Sequence, residues 1–344
     1  MVSVYFLNTS LFEENTVRIS FFLIICKLTT LDTILKKKFI KDHIDLITYL
    51  KRIFSCACIG SLLFCLPITT ASADTEQPFS TLIPLGSVSI KDKKAGLTEP
   101  SGLWFSAHEK VLWTVSDDTK KAFKLSLDGQ ILEQVDVDLE DAEGITQGVE
   151  EDFLYIAQED GSKVAVVNSR TGTIVNEHDL STLRTDKGEK FDFLKNDTIH
   201  GLEGITFNPN RNSFFLLKER DPGLLIEISA DFKFLREFRS LSERPEFQLR
   251  RLLRFNRTID LAGIEYQRRE GKDYFWIVTD EGKTVFLYNW DDDRLEKRFP
   301  LLFPDKNGNL KSIDKAEGVA FNPELNQLYF VSDKTACLYR FQVP

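Results

Sequence analysis

Between residues 200 and 229 short apolar runs alternate with turn residues at a spacing too tight for helices. His200-Gly-Leu-Glu203-Gly204-Ile opens one run, Phe214-Phe-Leu-Leu217 forms a second, and Leu224 begins a third, with Asn208, Pro209 and Asn210 separating the first two. Apolar segments of this length, punctuated by Asn, Pro and Gly, predict antiparallel strands joined by tight turns. A charged pair, Lys218-Glu219, ends the second run.

The unit recurs along the chain. Glu99-Pro-Ser101-Gly102 leads to Asp117, Ala142-Glu143-Gly144 to Glu159, Leu261-Ala262-Gly263 to Asp280, and Ala316-Glu317-Gly318 to Asp333. The glycine and the later carboxylate are 15 residues apart in four units and 17 in the unit of Gly263, and successive glycines follow at 42, 60, 59 and 55 residues. A loose period of short strands predicts a five-bladed β-propeller in an all-β chain. Upstream, residues 79–90 alternate well enough to form a strand, and the expected place for it is the sheet of residues 317–343. The N- and C-terminal strands would then pair and close the ring, hiding sheet edges that otherwise invite aggregation. The expected divisions are residues 1–73 as an N-terminal extension with a signal, 74–93 as linker and closing strand, and 94–344 as the propeller.

Composition changes before the repeats. Lys51-Arg52, an apolar run from Ile53 to Ile68, and Ala71-Ser72-Ala73 before Asp74 form an export signal with a cleavage site. Met1 is the only methionine, so the distance to this signal reflects a long n-region or a start at another codon. Cleavage predicts a periplasmic or secreted propeller. The alternative is an uncleaved anchor with the propeller outside the membrane, touching the bilayer only through the N-terminal segment. Four of the five cysteines precede Ala73, leaving Cys337 alone, so no intrachain disulfide is expected in the propeller and Cys337 is read as a buried structural thiol.

Charge narrows the classes of partner. Residues 1–73 carry eight Lys and Arg against five Asp and Glu, which leaves −12 on the remainder of a chain whose total is −9. So acidic a domain repels nucleic acid and anionic membrane and suits a cation or a metal. The basic stretch from Arg239 to Arg257 is read as a solvated strand or loop with its apolar side inward. The 28 phenylalanines are assigned to the packing between blades, with Phe105, Phe207, Phe214, Phe215, Phe275, Phe321 and Phe330 on strand positions.

Candidate chemistry follows from the blade pattern. If each blade's first strand is innermost, the start of that strand and the end of the second lie at one mouth of the central channel. Glu143, Glu203 and Glu317 precede the repeat glycine, while Asp117, Glu159, Glu219, Asp280 and Asp333 end the second run. Carboxylates gathered around an axis repel unless protonated or bound to a cation. Oxygen ligands without His or Cys select calcium over zinc or copper, so Glu143, Glu203, Glu317, Glu159, Glu219 and Asp333 are the expected calcium ligands. The competing reading has them cap strand ends or pair with Lys218 and Arg220. Ser101 and Ala262 replace the glutamate in two blades, which leaves one side of the site open. The five glycines fit a channel in which backbones approach too closely for a side chain.

Other signals resolve to structure. Asp305-Lys-Asn-Gly-Asn309 lacks the glycine and bidentate glutamate spacing of an EF-hand and is read as a hairpin turn at Asn307-Gly308. Asp291 to Asp293 reads as a solvated turn, and His200, near the Glu203 mouth, as a hydrogen-bonded structural histidine rather than a base. No nucleophile elbow surrounds Ser101.

The segments LEGITFNPNRNSFFLLKERDP, DLAGIEYQ and KAEGVAFNPELNQLYFVSDKTACLYRF resemble the SdiA-regulated (YjiK-like) propeller family from about Lys94 to Phe341. The resemblance implies a five-bladed propeller distantly similar to NHL-repeat propellers, a bound calcium ion and an N-terminal membrane or export segment; it implies no established activity. Two functions are expected from these readings. One is a non-catalytic, monomeric binding module that holds a small ligand or protein at the propeller mouth. The other is a calcium-dependent hydrolase of the lactonase or phosphoesterase kind, with Glu203 or Glu219 as base.

Overall fold

The computed structural model describes residues 2–9, 21–28, 80–194, 200–247, 259–280 and 283–344. Contacts divide the chain into two units, Met1–Asp74 and Thr75–Pro344. In the first, Val2–Thr9 pairs antiparallel with Phe21–Leu28. The expected signal, its cleavage site and the four N-terminal cysteines, apart from Cys26 in that strand, lie outside the described residues.

The second unit is a five-bladed β-propeller of four-stranded antiparallel sheets, with no α-helix among the described residues. The first blade comprises Pro100–Ser106, Val111–Ser116, Lys121–Leu125 and Ile131–Asp136. The second comprises Ala142–Gln147, Phe153–Gln158, Lys163–Asn168 and Ile174–Asp179. Leu202–Asn208, Ser213–Lys218, Leu224–Ser229 and Leu235–Ser240 form the third. Gly263–Arg269, Lys272–Thr279, Thr284–Asn289 and Arg294–Pro300 form the fourth.

The fifth blade takes Ala316–Asn322, Gln327–Ser332 and Cys337–Gln342 from the C-terminus, and its outer strand is Ile83–Ser89 from the N-terminal side. Cys337 pairs with Ser89 and Gln342 with Ile83, so the ring closes without a covalent link, as the alternation of residues 79–90 predicts. A small hairpin, Leu302–Pro304 with Leu310–Ser312, precedes this blade and turns at Gly308 (φ 81°). The Asp305 carboxylate accepts from Asn307 and Asn309 N–H there, which is the hairpin expected in place of an EF-hand.

Side chains alternate across a strand, so each radial sheet sends one set of residues to the seam on either side. Five apolar clusters result, one per seam. Ile145, Val115 and Trp113 pack between the first and second blades, and Ile205, Phe214 and Ala157 between the second and third. Phe215, Phe275 and Ile264 fill the third-to-fourth seam, Trp276, Val319 and Phe330 the fourth-to-fifth. Leu103, Phe105 and Tyr329 close the fifth against the first. The phenylalanines assigned to the core lie in these seams, with Phe207 packed partly buried at the edge of one. Cys337 is half-buried rather than buried.

The acidic turn Asp291–Asp293 is exposed, as its composition predicts, and its carboxylates are also paired with arginines. Arg211 meets Asp273 at 2.8 Å and Asp291 at 2.9 Å, and Arg244 meets Asp293 at 2.7 Å. Arg239, from the basic stretch, stacks over the Trp290 ring at 3.7 Å and hydrogen-bonds the Trp290 carbonyl. These arginines pin the third blade to the fourth.

Candidate functional site

The first strands of successive blades contact one another all the way round, which makes them the innermost strands. Their glycines set how closely they approach. A Cβ on Gly144 would lie 2.8 Å from the Gly204 Cα, and one on Gly318 2.6 Å from the Gly102 carbonyl carbon. On Gly102 and Gly263 it would meet the carbonyl oxygens of Glu143 and Glu317 at 2.4 and 2.3 Å, and on Gly204 the Ile264 side chain at 2.9 Å. The repeated glycine is therefore a point of close contact between innermost strands around the channel.

The residue before that glycine has a special place in the sheet. Ala142 pairs with Gln158 and Gly144 with Ala157, so Glu143 is the extra residue of a β-bulge. Glu203 and Glu317 stand in the same bulge of the third and fifth blades. A bulge re-aims a side chain out of the strand's alternation, and here the three glutamates line the cavity at the channel mouth. Asp117, Glu159, Glu219, Asp280 and Asp333 each follow the last residue of a second strand and line the same cavity.

This cavity has a volume of about 340 Å³ and is lined by ten Asp and Glu residues against two cationic ones, Arg220 and Lys315. All six residues expected as ligands are in its wall. Glu159, Glu203 and Glu219 stand closest, each offering an oxygen within 4.8 Å of the others. Glu143 takes a hydrogen bond from Ser101, so the serine that replaces glutamate in the first blade serves the glutamate of the second. Asp333 is paired with Lys315 at 2.5 Å.

Crowding raises the proton affinity of the deepest carboxyls. Burial, followed by repulsion from Glu143, Glu159, Glu317 and Glu219, holds Glu203 well above the ordinary carboxylate range. Burial first and then Asp280 and Glu143 push Glu317 up to about 8. Burial pushes Glu143 to about 7, with the Ser101 hydrogen bond working against it and Asp117 and Glu159 adding to it. Glu159 is raised by burial and by Glu219, against the Gly201 N–H that it accepts. Glu203 meets no hydrogen-bond donor and no cation among the described residues.

Glu219 is held differently. His200 Nδ1 lies 3.0 Å from its Oε2, and the Arg220 guanidinium grips Oε1. Nε2 of His200 faces Asp221 at 3.5 Å. This is the hydrogen-bonded histidine expected from sequence, and it orients a carboxylate of the cavity wall.

Three lining residues are not evident from the sequence: Glu99, Asp260 and Lys315. Each stands three residues before its repeat glycine, so the register that marks Glu143 also contains their signal. It is hidden because the position carries Glu99, Asp141, Gly201, Asp260 and Lys315 in the five units, a set without shared chemistry.

One solved structure shares the fold, and two more are matched at lower scores. Glutaminyl cyclase from Myxococcus xanthus matches with a TM-score of 0.50 at 10% identity, covering 76% of this chain and 96% of that one. A luciferin-regenerating enzyme matches at 0.45 and 13% identity over 75% and 96% of the two chains. A calcium-binding protein, regucalcin, from Agrobacterium tumefaciens matches at 0.47 and 11% over 77% and 96%. At such identities the first likeness shows the fold alone. Sequence carries more, because the SdiA-regulated family model matches residues 83–342, the closing strand through the last strand of the fifth blade. The chain therefore belongs to the SdiA-regulated family.

Proposed function

We propose that the channel mouth binds one calcium ion, and that the protein is an exported binding module in which this ion ties the blades together and helps hold a small ligand or protein partner. The observation that carries the reading is Glu203, sunk among Glu143, Glu159, Glu317 and Glu219 with no cation against it among the described residues. An uncompensated carboxylate that is half-buried and crowded by others is costly, and a divalent cation lowers the cost. The donors are all oxygens, Glu159 from the second blade and Glu203 and Glu219 from the third, at spacings that tolerate an irregular shell, which suits calcium better than magnesium or zinc. Glu159, Glu203 and Glu219 would hold the ion, with Glu143 beside them. The open side lies toward the first and fourth blades, where Ser101 and Ala262 stand in the glutamate position. The export segment and a monomeric state belong to the same proposal.

The test is a thermal melt of the purified chain in EDTA and then in millimolar calcium. A ligand that prefers the folded state raises the melting temperature, so wild type should shift upward and a Glu159/Glu203/Glu219 to Gln triple variant should not. No shift in wild type, with metal analysis finding none bound, sinks the reading.

A second reading is favoured by the same Glu203, because a carboxyl whose proton affinity is raised by burial and neighbouring carboxylates suits general acid–base work. It makes the protein a calcium-dependent hydrolase. Turnover on a panel of lactones and phosphoesters, lost in Glu203→Gln while calcium is retained, would establish it; no turnover on any of them would dismiss it.

A further inference from the structure

The cavity wall is not uniformly open to cations. Lys315 Nζ lies 2.5 Å from Asp333 Oδ2 and 3.9 Å from Glu317 Oε1. Its backbone is anchored too, since Asp333 N–H donates to the Lys315 carbonyl at 3.0 Å. In the repeat, Lys315 occupies the position that holds Glu99 in the first blade, Asp141 in the second and Asp260 in the fourth, so the fifth blade reverses the charge where three others supply an acid. A lysine ammonium is a compact point charge on a flexible stem, here placed among carboxylates as a bound ion would be.

A separate feature marks the same place. Asp333 Oδ1 is buried with no hydrogen-bond partner, although Oδ2 of the same carboxylate has Lys315. Buried carboxylate oxygens are ordinarily satisfied, and a bare one beside Glu317 leaves an acceptor facing a position that one ammonium covers only in part.

We infer that Lys315 is a built-in counter-ion that fills a second cation position, formed by Glu317 and Asp333, and thereby confines the cavity to a single divalent ion on the Glu159/Glu203/Glu219 side. This deepens the calcium reading and rests on it. Lys315 is a positioning residue in this scheme: it touches no ligand, but decides how many ions bind and where. Deleting its charge would leave the Glu317 and Asp333 carboxylates facing one another without a partner, and a second divalent ion is the simplest group to replace it.

Ion stoichiometry tests this directly, because a merely structural lysine would not change it. Equilibrium dialysis of the full chain against calcium should give one ion per chain for wild type and two for Lys315→Gln. Lys315→Arg, which keeps the charge, should give one. Adding Asp333→Asn to Lys315→Gln should return the count to one by removing the second position. One ion in Lys315→Gln overturns the inference and leaves the calcium reading standing, whereas no ion in wild type overturns the calcium reading itself. Should Lys315→Gln fail to fold, wild type still decides: two ions per chain in the presence of the lysine would overturn the inference.

Discussion

At Gly144 a methyl group would stand 2.8 Å from the Gly204 Cα, with only backbone in front of it. Neither innermost strand can move without disturbing a seam, so Gly144→Ala should destabilise the protein by about 1–3 kcal/mol, as overpacking of a filled interior does. Urea denaturation would read this as a lower midpoint with an unchanged slope. Glu265 poses the opposite problem: it is buried, 7% exposed, and has no hydrogen-bond partner or ion pair among the described residues. Burial alone holds its carboxyl well above the ordinary range. The corresponding Thr206, one blade earlier, accepts the Tyr266 N–H at 3.1 Å, a link across the seam for which Glu265 has no counterpart. Glu265→Gln keeps the shape and removes the ionisable group from a buried place without a partner among the described residues, and should not lower the stability from urea unfolding at pH 7 by more than about 0.5 kcal/mol.

At the scale of elements, the strand Ile83–Ser89 carries the ring. Its pairing with Cys337–Gln342 is the one place among the described residues where the sheet of a blade joins distant ends of the chain. Without it the fifth blade would end at a bare third strand, and Phe341 and Leu338, both buried, would lose part of their cover. Deletion of residues 83–89 should therefore give insoluble or aggregated protein, because an exposed apolar edge recruits other chains; sedimentation of the expressed variant measures this, and a soluble, cooperatively melting product would contradict the role assigned to the strand. The bulge is the second element that matters. It lets Glu143, Glu203 and Glu317 leave the alternation that sends their neighbours Ile145, Ile205 and Val319 into the seams. One strand thereby serves both the core and the cavity.

For the whole molecule, the cavity ties stability to pH. Glu317 is raised to about 8 and Glu143 to about 7, above the value near 4.3 of an unfolded chain. Between those limits the folded state binds more protons than the unfolded one, so stability is full below about pH 4.3, as far as these groups are concerned, and declines as pH rises toward 8. The loss should amount to a few kcal/mol in EDTA, since each extra proton held by the folded state is worth roughly 1.4 kcal/mol for every pH step across that window. A cation on the carboxylates favours their charged forms and reverses the trend. Urea unfolding at pH 5.5 and 8 should show the fall in EDTA and little or none in calcium; the same fall with and without the ion would mean that the metal sits elsewhere. No helix among the described residues is long and apolar enough to cross a membrane.

The repeat of apolar runs and glycines determined the number of blades, the closing strand and which carboxylates gather at one mouth, because short-range strand and turn chemistry is written locally and copied five times. The ranking within that set was decided only in three dimensions. Glu159, Glu203 and Glu219 come within 4.8 Å, Asp333 turns to Lys315 and Glu143 to Ser101, since these distances depend on how adjacent blades are rotated against one another. The same holds for Asp291–Asp293, acidic by composition and yet locked by arginines 80 and 49 residues away along the chain. Charge says which residues seek a partner; only the packing of the ring says which partner is within reach.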